Sequence, residues 1–137
     1  MKNVCCWGTF DLLHDGHKEF FKDAKNKGDF LYVLVVPDQA VYENKKKYPV
    51  NNQRKRADDI MNTGLVNAVI QLELGKSLEA VAKIAPDVFV FGHDQQTPWE
   101  ENLKKYLAER RITPDYYVSS KFASGISTTQ IRKEFGI

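Results

Sequence analysis

The sequence predicts an α/β fold: a single Rossmann-like domain in which helices flank a mostly parallel five-stranded sheet. Strand-like and helix-like segments alternate along the chain, which is the pattern of a parallel sheet with right-handed helical crossovers. Residues 30–36 form a continuous apolar run closed by a proline, as is typical of a strand buried on both faces. The chain has 137 residues, of which 42% are hydrophobic, enough for one core. We therefore expect residues 1–137 to form one domain.

The first half of the chain carries the signals of two strand–helix units. Strand one is expected over residues 2–7 and helix one over 16–27, with Gly28 as its C-cap. The apolar run that begins at Phe30 is strand two. A polar loop with three consecutive lysines follows, and the next helix is expected over residues 52–62.

The second half repeats the alternation. Strands are predicted at three apolar segments, residues 68–70, 88–91 and 116–118. Helices are predicted to begin at three capping signals, Ser77 (running to Ile84), Thr97 before a proline, and Ser127 near the C-terminus. In such a fold the loops after strands one, four and five lie at one edge of the sheet, where phosphate-handling residues can gather.

Composition narrows the partners that the chain could have. A formal net charge of only +2 gives no reason to expect nucleic acid or a membrane surface as a partner. No apolar run approaches the ~20 residues that span a bilayer, and no signal peptide is recognisable. Cys5 and Cys6 are adjacent, so on a strand they face opposite ways and cannot form an ordinary disulfide. We expect a cytoplasmic protein.

The loop between strand one and helix one carries the strongest functional signal. It places His14 and His17, with Gly16 between them, where ligands bind in open α/β sheets and where a helix N-terminus attracts anions. Imidazole donates hydrogen bonds to phosphate oxygens, as a cation where the phosphate raises its pKa. Surface or capping histidines are one alternative. A metal pair is a weaker one, because no third and fourth ligands follow at familiar spacing.

Residues 8–17, which read Gly-Thr-Phe-Asp-Leu-Leu-His-Asp-Gly-His, resemble a known signature. It belongs to the nucleotidyltransferase superfamily that includes cytidylyltransferases, pantetheine-phosphate adenylyltransferase and archaeal FAD synthases. The resemblance implies a site for a nucleoside triphosphate. The residues expected to contact the nucleotide there are Thr9, Phe10, His14, Asp15, Gly16 and His17.

A second motif lies near the C-terminus, where residues 125–132 read Gly-Ile-Ser-Thr-Thr-Gln-Ile-Arg. Alone, hydroxyl residues before a helix usually serve as caps. Here they resemble the I-S-T-T-x-I motif of the same superfamily, which implies that Ser127 and Thr128 hold the β- and γ-phosphates. Because the two motifs occur in the expected order, the resemblance covers essentially the whole chain.

Two weaker features have both a structural and a functional interpretation. The Gly92–Asp94 segment after strand four could be an ordinary turn, but the resemblance places Gly92 and Asp94 beside the base and ribose. A lysine run is usually a solvated loop. The resemblance, however, implies that the loop after strand two brings basic residues to the phosphate of a second substrate, the acceptor of the nucleotidyl group. Lys46 and Lys47 are therefore predicted to bind that phosphate, together with Asp11.

Within the superfamily, the chain departs from glycerol-3-phosphate cytidylyltransferases at three places. Residues 64–70 lack the arginine and aspartate of their R-Y-V-D-E-V-I segment, Phe122 replaces an arginine, and residues 92–95 read Gly-His-Asp-Gln instead of G-D-D-W. By contrast, residues 86–95 resemble the P-D-x-x-x-x-G-x-D-Q stretch of archaeal FAD synthases. Residues 100–107 resemble the acidic-then-basic helix of that group.

The predicted activity is therefore transfer of AMP from ATP to FMN, giving FAD and pyrophosphate. The alternative is transfer of CMP from CTP to a polyol or sugar phosphate, as in glycerol-3-phosphate cytidylyltransferases. A nucleotide-binding module without catalysis is a third possibility. We expect Mg²⁺ or another divalent cation, held mainly by the triphosphate and not by protein ligands, and by analogy a possible homodimer.

Catalysis is expected to depend on His14, His17 and Lys46, which would stabilise and position phosphates during in-line attack on the α-phosphorus. A flavin acceptor also needs a flat apolar slot. Trp99, Tyr42 and Tyr48 could line one, although packing in the core or on the surface is the more common role of such residues.

Overall fold

A computed structural model describes residues 1–92 and 98–119 of the chain, without the side chains of Pro98 and Trp99. Several sequence predictions fall outside these residues: the cap at Thr97, the site residues Asp94, Ser127 and Thr128, and the final helix.

The described residues form a five-stranded sheet with five helices, which confirms the α/β prediction. The strands are β1 (Asn3–Gly8), β2 (Phe30–Val35), β3 (Ala68–Gln71), β4 (Val88–Gly92) and β5 (Asp115–Ser119). The helices are α1 (Asp15–Lys25), α2 (Asp38–Lys45), α3 (Gln53–Asn62), α4 (Ser77–Ile84) and α5 (Pro98–Glu109). Every pair of neighbouring strands is parallel, in the order β3-β2-β1-β4-β5.

The core lies on both faces of the sheet. Side chains of α1 and α3, such as Phe20 and Ile60, pack with Cys6 on one face, whereas Val81 of α4 and Leu107 of α5 pack with Cys5 on the other. The two cysteines therefore point to opposite faces, as the sequence predicts, and both are buried thiols. Burial raises the pKa of each thiol, so neither is a reactive nucleophile at neutral pH. No helix of the described residues is long and apolar enough to cross a membrane.

Three local predictions are wrong. The polar loop after β2 contains the helix α2, which buries only Val41 and so lacks the apolar spacing of a core helix. Ser77 is the first residue of α4, whose N-cap is Lys76 and has no capping side chain. Gly28 is not the C-cap of α1, because that helix is capped at Asn26. Gly28 instead allows the backbone to pack closely against Val4, since a Cβ there would lie 2.6 Å from Cγ2 of Val4.

The strand order creates a crevice at the centre of the sheet. From β1 the chain moves outward to β2 and β3, then returns to the other side of β1 as β4. The neighbouring strands β1 and β4 therefore belong to opposite halves of the sheet, and their carboxyl ends are Gly8 and Gly92. In parallel α/β sheets, ligands bind at such a point, outside the carboxyl ends of the strands.

Candidate functional site

The loop between β1 and α1 has a constrained backbone at the crevice. Phe10 and Leu12 have φ values of 52° and 51°, in the left-handed region that costs a residue with a side chain about 1 kcal/mol or more. Burial of the Phe10 ring offsets that cost, because it is only 2% exposed and lies 5.0 Å from the Phe21 ring. The ring of His17 approaches Phe10 edge-on, at 5.7 Å between centroids. Phe10 is thus a core anchor of the loop, and its predicted contact with the nucleotide stays a prediction.

His14 and His17 cap helix α1 together. Nδ1 of His14 accepts a hydrogen bond from the backbone N–H of Gly16 at 3.0 Å. Nδ1 of His17 accepts one from the backbone N–H of His14 at 3.3 Å. The two rings stack with their centroids 4.0 Å apart. The capping alternative considered for the sequence is therefore present in the structure.

Capping does not exclude a role in phosphate binding. A neutral imidazole has one acceptor nitrogen and one N–H donor. Because Nδ1 is the acceptor in both rings, the neutral tautomer carries its proton on Nε2. The capping bonds thus assign each ring an Nε2–H donor beside the N-terminus of α1, whose dipole also favours an anion.

The surroundings of both histidines favour the neutral form. Burial lowers the pKa of His17 to about 3, with a further contribution from the neighbouring His14, while Asp11 acts in the opposite direction. Partial burial also lowers the pKa of His14, against the effect of Asp15, which is exposed in the first turn of α1. Both rings are therefore uncharged at neutral pH in the protein alone.

Asp11 ties this loop to the segment before α3. Its side chain is fully buried, and its two carboxylate oxygens accept backbone hydrogen bonds from Val50 at 2.6 Å and from Asn51 at 2.9 Å. Asp11 thus has a positioning role in the structure. That it also contacts the acceptor stays a prediction.

Arg56 makes a second connection among the same segments. The guanidinium group is fully buried and donates to the carbonyls of Thr9 at 2.7 Å and Val36 at 2.9 Å. It also donates to the Asn51 carbonyl at 3.0 Å and to a carboxylate oxygen of Asp38 at 2.6 Å. One side chain therefore joins the ends of β1 and β2, the start of α2 and the segment before α3.

Arg56 is not among the predicted site residues, although the sequence carries a signal for it. Ala57 and Ile60 form the buried stripe of α3, and Arg56 belongs to the same face. Gln53, one turn earlier, donates from Nε2 to the carbonyls of Val35 and Leu72 at 2.8 and 2.9 Å. Polar residues within an apolar stripe are buried only when they are paired, so such residues indicate a polar network.

The basic segment lies at the end of α2. Lys46 and Lys47 are both exposed, and Lys46 ends the helix in the left-handed conformation with a φ of 61°. Val50 and Asn51, which follow these lysines in the chain, donate backbone hydrogen bonds to Asp11 of the β1–α1 loop. On the other side of the crevice, Gly92 is buried at the end of β4. The residues that the structure describes contain no group of three side chains suited to hold a metal ion.

Comparison with known proteins is consistent with this geometry. The model of the cytidylyltransferase-like family matches residues 5–134. An FAD synthase of Methanococcoides burtonii is 38% identical over 110 residues, covering 80% of this chain and 75% of the relative. An FAD synthase of Thermococcus sibiricus is also 38% identical, covering 74% of this chain and 72% of the relative. The crystal structure of a lipopolysaccharide core biosynthesis protein from Thermoplasma volcanium has a TM-score of 0.79 at 30% identity. The match covers 88% of this chain and 98% of that protein.

Removal of the buried guanidinium should destabilise the fold. Arg56→Ala leaves the Asp38 carboxylate and three carbonyls without this donor, so we expect the free energy of unfolding to fall by about 3–5 kcal/mol. Equilibrium unfolding in urea measures the change. Arg54→Ala is the matched control, since Arg54 is exposed on the same helix and should change stability by about 0.5 kcal/mol or less. Equal losses in the two variants would contradict the role given to Arg56.

Stability should also depend on the protonation of His17. The unfolded chain binds a proton at His17 near pH 6.5, whereas in the folded protein its pKa is about 3. The unfolded state therefore holds more protons between these values, and stability falls as the pH falls through that window, by up to about 1.4 kcal/mol per pH unit.

Urea unfolding of the wild type and of His17→Asn between pH 6.5 and 5 tests this dependence. The Oδ1 atom of asparagine lies near the position of histidine Nδ1 and can keep the bond from the His14 N–H. We expect a shallower loss of stability in the variant, because asparagine does not titrate. The same slope in both proteins would contradict the lowered pKa of His17.

Proposed function

The chain belongs to the cytidylyltransferase-like family, and from that premise we propose that it transfers AMP from ATP to FMN, giving FAD and pyrophosphate. Membership of the family makes the chain a nucleotidyltransferase, and the FAD synthases among its relatives, at 35–42% identity, support FMN as the acceptor. The observation that carries the proposal is the His14–His17 pair, stacked at the N-terminus of α1 beside the central crevice of the sheet.

The proposed reaction needs little acid–base chemistry from the protein. A phosphate oxygen of FMN forms a bond to the α-phosphorus of ATP, and the bond from that phosphorus to the leaving pyrophosphate breaks in line. The second pKa of a phosphate monoester is about 6, so the nucleophile is already an anion at neutral pH. Catalysis then consists of positioning and charge stabilisation.

We assign the two histidines to the nucleotide's phosphates. The Nε2–H groups of His14 and His17 would donate to phosphate oxygens as negative charge develops. The charge of the bound triphosphate would raise the pKa of each ring, so that the cationic form becomes accessible only with substrate present. Thr9 and the close approach allowed by Gly16 would complete this part of the site, with Asp15 in the same turn.

The remaining roles come from the family resemblance. Ser127 and Thr128 would hold the leaving pyrophosphate, and Gly92 and Asp94 would lie beside the base and ribose. Mg²⁺ would enter with the triphosphate and neutralise part of its charge. Asp11, the buried carboxylate of the β1–α1 loop, accepts hydrogen bonds from the backbone of Val50 and Asn51.

The acceptor would bind on the side of the β1–α1 loop away from the nucleotide. Lys46 and Lys47 are exposed cations on the segment that Asp11 fixes, and they would orient the phosphate of FMN toward the α-phosphorus. An assay of pyrophosphate release with ATP or CTP, each paired with FMN, glycerol 3-phosphate or a sugar phosphate, tests the whole proposal. Turnover only with CTP and a polyol phosphate, or nucleotide binding without turnover, would refute it.

The contribution of His17 can be separated from its capping role. His17→Asn can retain the acceptor for the His14 N–H but removes the Nε2 donor, so we expect kcat to fall by about 100- to 1,000-fold. His17→Ala removes both the acceptor and the donor, so its kcat should fall at least as far. Circular dichroism and thermal unfolding confirm that each variant is folded. A folded His17→Asn variant with wild-type turnover would contradict the mechanism.

The lysine segment provides a second test. Lys46→Ala and Lys47→Ala should each lower kcat/KM for FMN by about tenfold, because each removes a charged hydrogen-bond donor to the acceptor phosphate. The KM for ATP should stay unchanged. Lys45→Ala is the matched control, since it removes another exposed lysine, from the last turn of α2. If the three variants lose the same activity, the effect is one of net charge, and the assignment fails.

A further inference from the structure

Two exposed tyrosines stack on each other beside the basic segment. The ring centroids of Tyr42, on α2, and Tyr48, after it, are 4.6 Å apart, with 21° between the ring planes. Tyr42 is 39% exposed and Tyr48 is 56% exposed. Tyr42 covers one face of the Tyr48 ring, so much of what remains exposed belongs to the other face. Packing in the core therefore does not account for this pair.

The pair is held in place by local hydrogen bonds. The Tyr48 hydroxyl donates to Oε1 of Gln39 at 3.3 Å. The backbone N–H of Lys46 donates to the Tyr42 carbonyl at 2.7 Å, which closes the end of α2 in a left-handed turn. A surface whose side chains are already ordered loses less conformational entropy when a ligand binds.

A short stretch of chain connects the pair to the loop that carries the histidines. Val50, two residues after Tyr48, donates its backbone N–H to Asp11, and two residues span at most about 7 Å. Asp11 precedes the capping His14 by three residues in the same loop. Tyr48 directly follows Lys47, so the ring pair and the proposed phosphate-binding lysines share one short segment.

We propose that the outer face of Tyr48, supported by Tyr42, is the surface on which the acceptor's flat aromatic ring system stacks. The inference rests on the proposed function and deepens it: FMN would place its phosphate at Lys46 and Lys47 and its isoalloxazine ring on Tyr48. Stacked aromatic pairs contribute about two- to tenfold in affinity beyond the burial of their area. A polyol phosphate has no ring and would gain nothing from this surface, so the pair selects for the acceptor.

Binding of FMN in the absence of nucleotide tests the inference separately from catalysis. Quenching of flavin fluorescence measures the Kd of FMN for the full-length protein. We expect Tyr48→Ala to raise that Kd about tenfold and to reduce the quenching at saturation, whereas Tyr48→Phe, which keeps the ring, should stay within about twofold of wild type. The Kd for ATP should be the same in all three proteins.

Tyr117→Ala is the matched control, because Tyr117 is 43% exposed and lies on β5, an edge strand that is not adjacent to β2 in the strand order. It should leave the Kd for FMN unchanged, and circular dichroism verifies the fold of every variant. An unchanged Kd for FMN in Tyr48→Ala overturns the inference, even if the protein synthesises FAD. If Tyr48→Ala weakens the binding of ATP and leaves that of FMN unchanged, the inference is also overturned, since the ring would then bind adenine.

A different experimental result would refute the proposed function. If ATP and FMN yield no FAD while FMN binding still depends on the Tyr48 ring, the stacking surface stands and the assigned reaction is refuted. If the wild-type protein does not bind FMN without nucleotide but ATP and FMN yield FAD, the stacking surface is refuted and the assigned reaction stands.

Discussion

The buried guanidinium of Arg56 is the interaction on which the candidate site depends. Transfer of a cation out of water is costly, and a buried ion pair often contributes no more stability than well-packed apolar side chains would. What the four hydrogen bonds of Arg56 provide is geometry, because each reaches a different segment. Thr9 and Val36 lie just beyond the ends of β1 and β2, where the sheet no longer pairs their carbonyls. Arg56 satisfies both carbonyls and so fixes the two loops relative to each other.

Asp11 makes the reciprocal connection. It lies in the β1–α1 loop and accepts from the backbone of Val50 and Asn51, whereas Arg56 follows those residues and donates back to Thr9. Each buried charge is thus bonded to the backbone of the other's segment. A loop crossed by two such connections has little freedom to change its shape, which is what a site for two substrates requires. Through them, the loop that carries the histidines is bonded to the segment that follows the lysines and tyrosines.

The parts of the molecule that the sequence predicts are those governed by local pattern. The apolar run of β2 and the stripe of α1 follow from side-chain periodicity, and the His14–His17 spacing places both rings at one helix terminus. The parts that it does not predict depend on contacts distant in sequence. The partners of Asp11 lie 39 and 40 residues away, and the clash that requires Gly28 is with Val4 on a neighbouring strand. The burial of Arg56 is not predictable from its residue type, because charged residues are normally exposed unless they are paired.

The same histidines can serve structure and chemistry because each ring nitrogen has a separate task. Nδ1 caps the helix, and that bond fixes the tautomer that places a proton on Nε2. Burial then keeps His17 uncharged in the protein alone, since its pKa is about 3. In the proposed site, a triphosphate bound at the N-terminus of α1 would bring the negative charge that reverses this balance. The substrate would thereby create the cation that its own transition state needs, and a neutral ligand of similar shape would not.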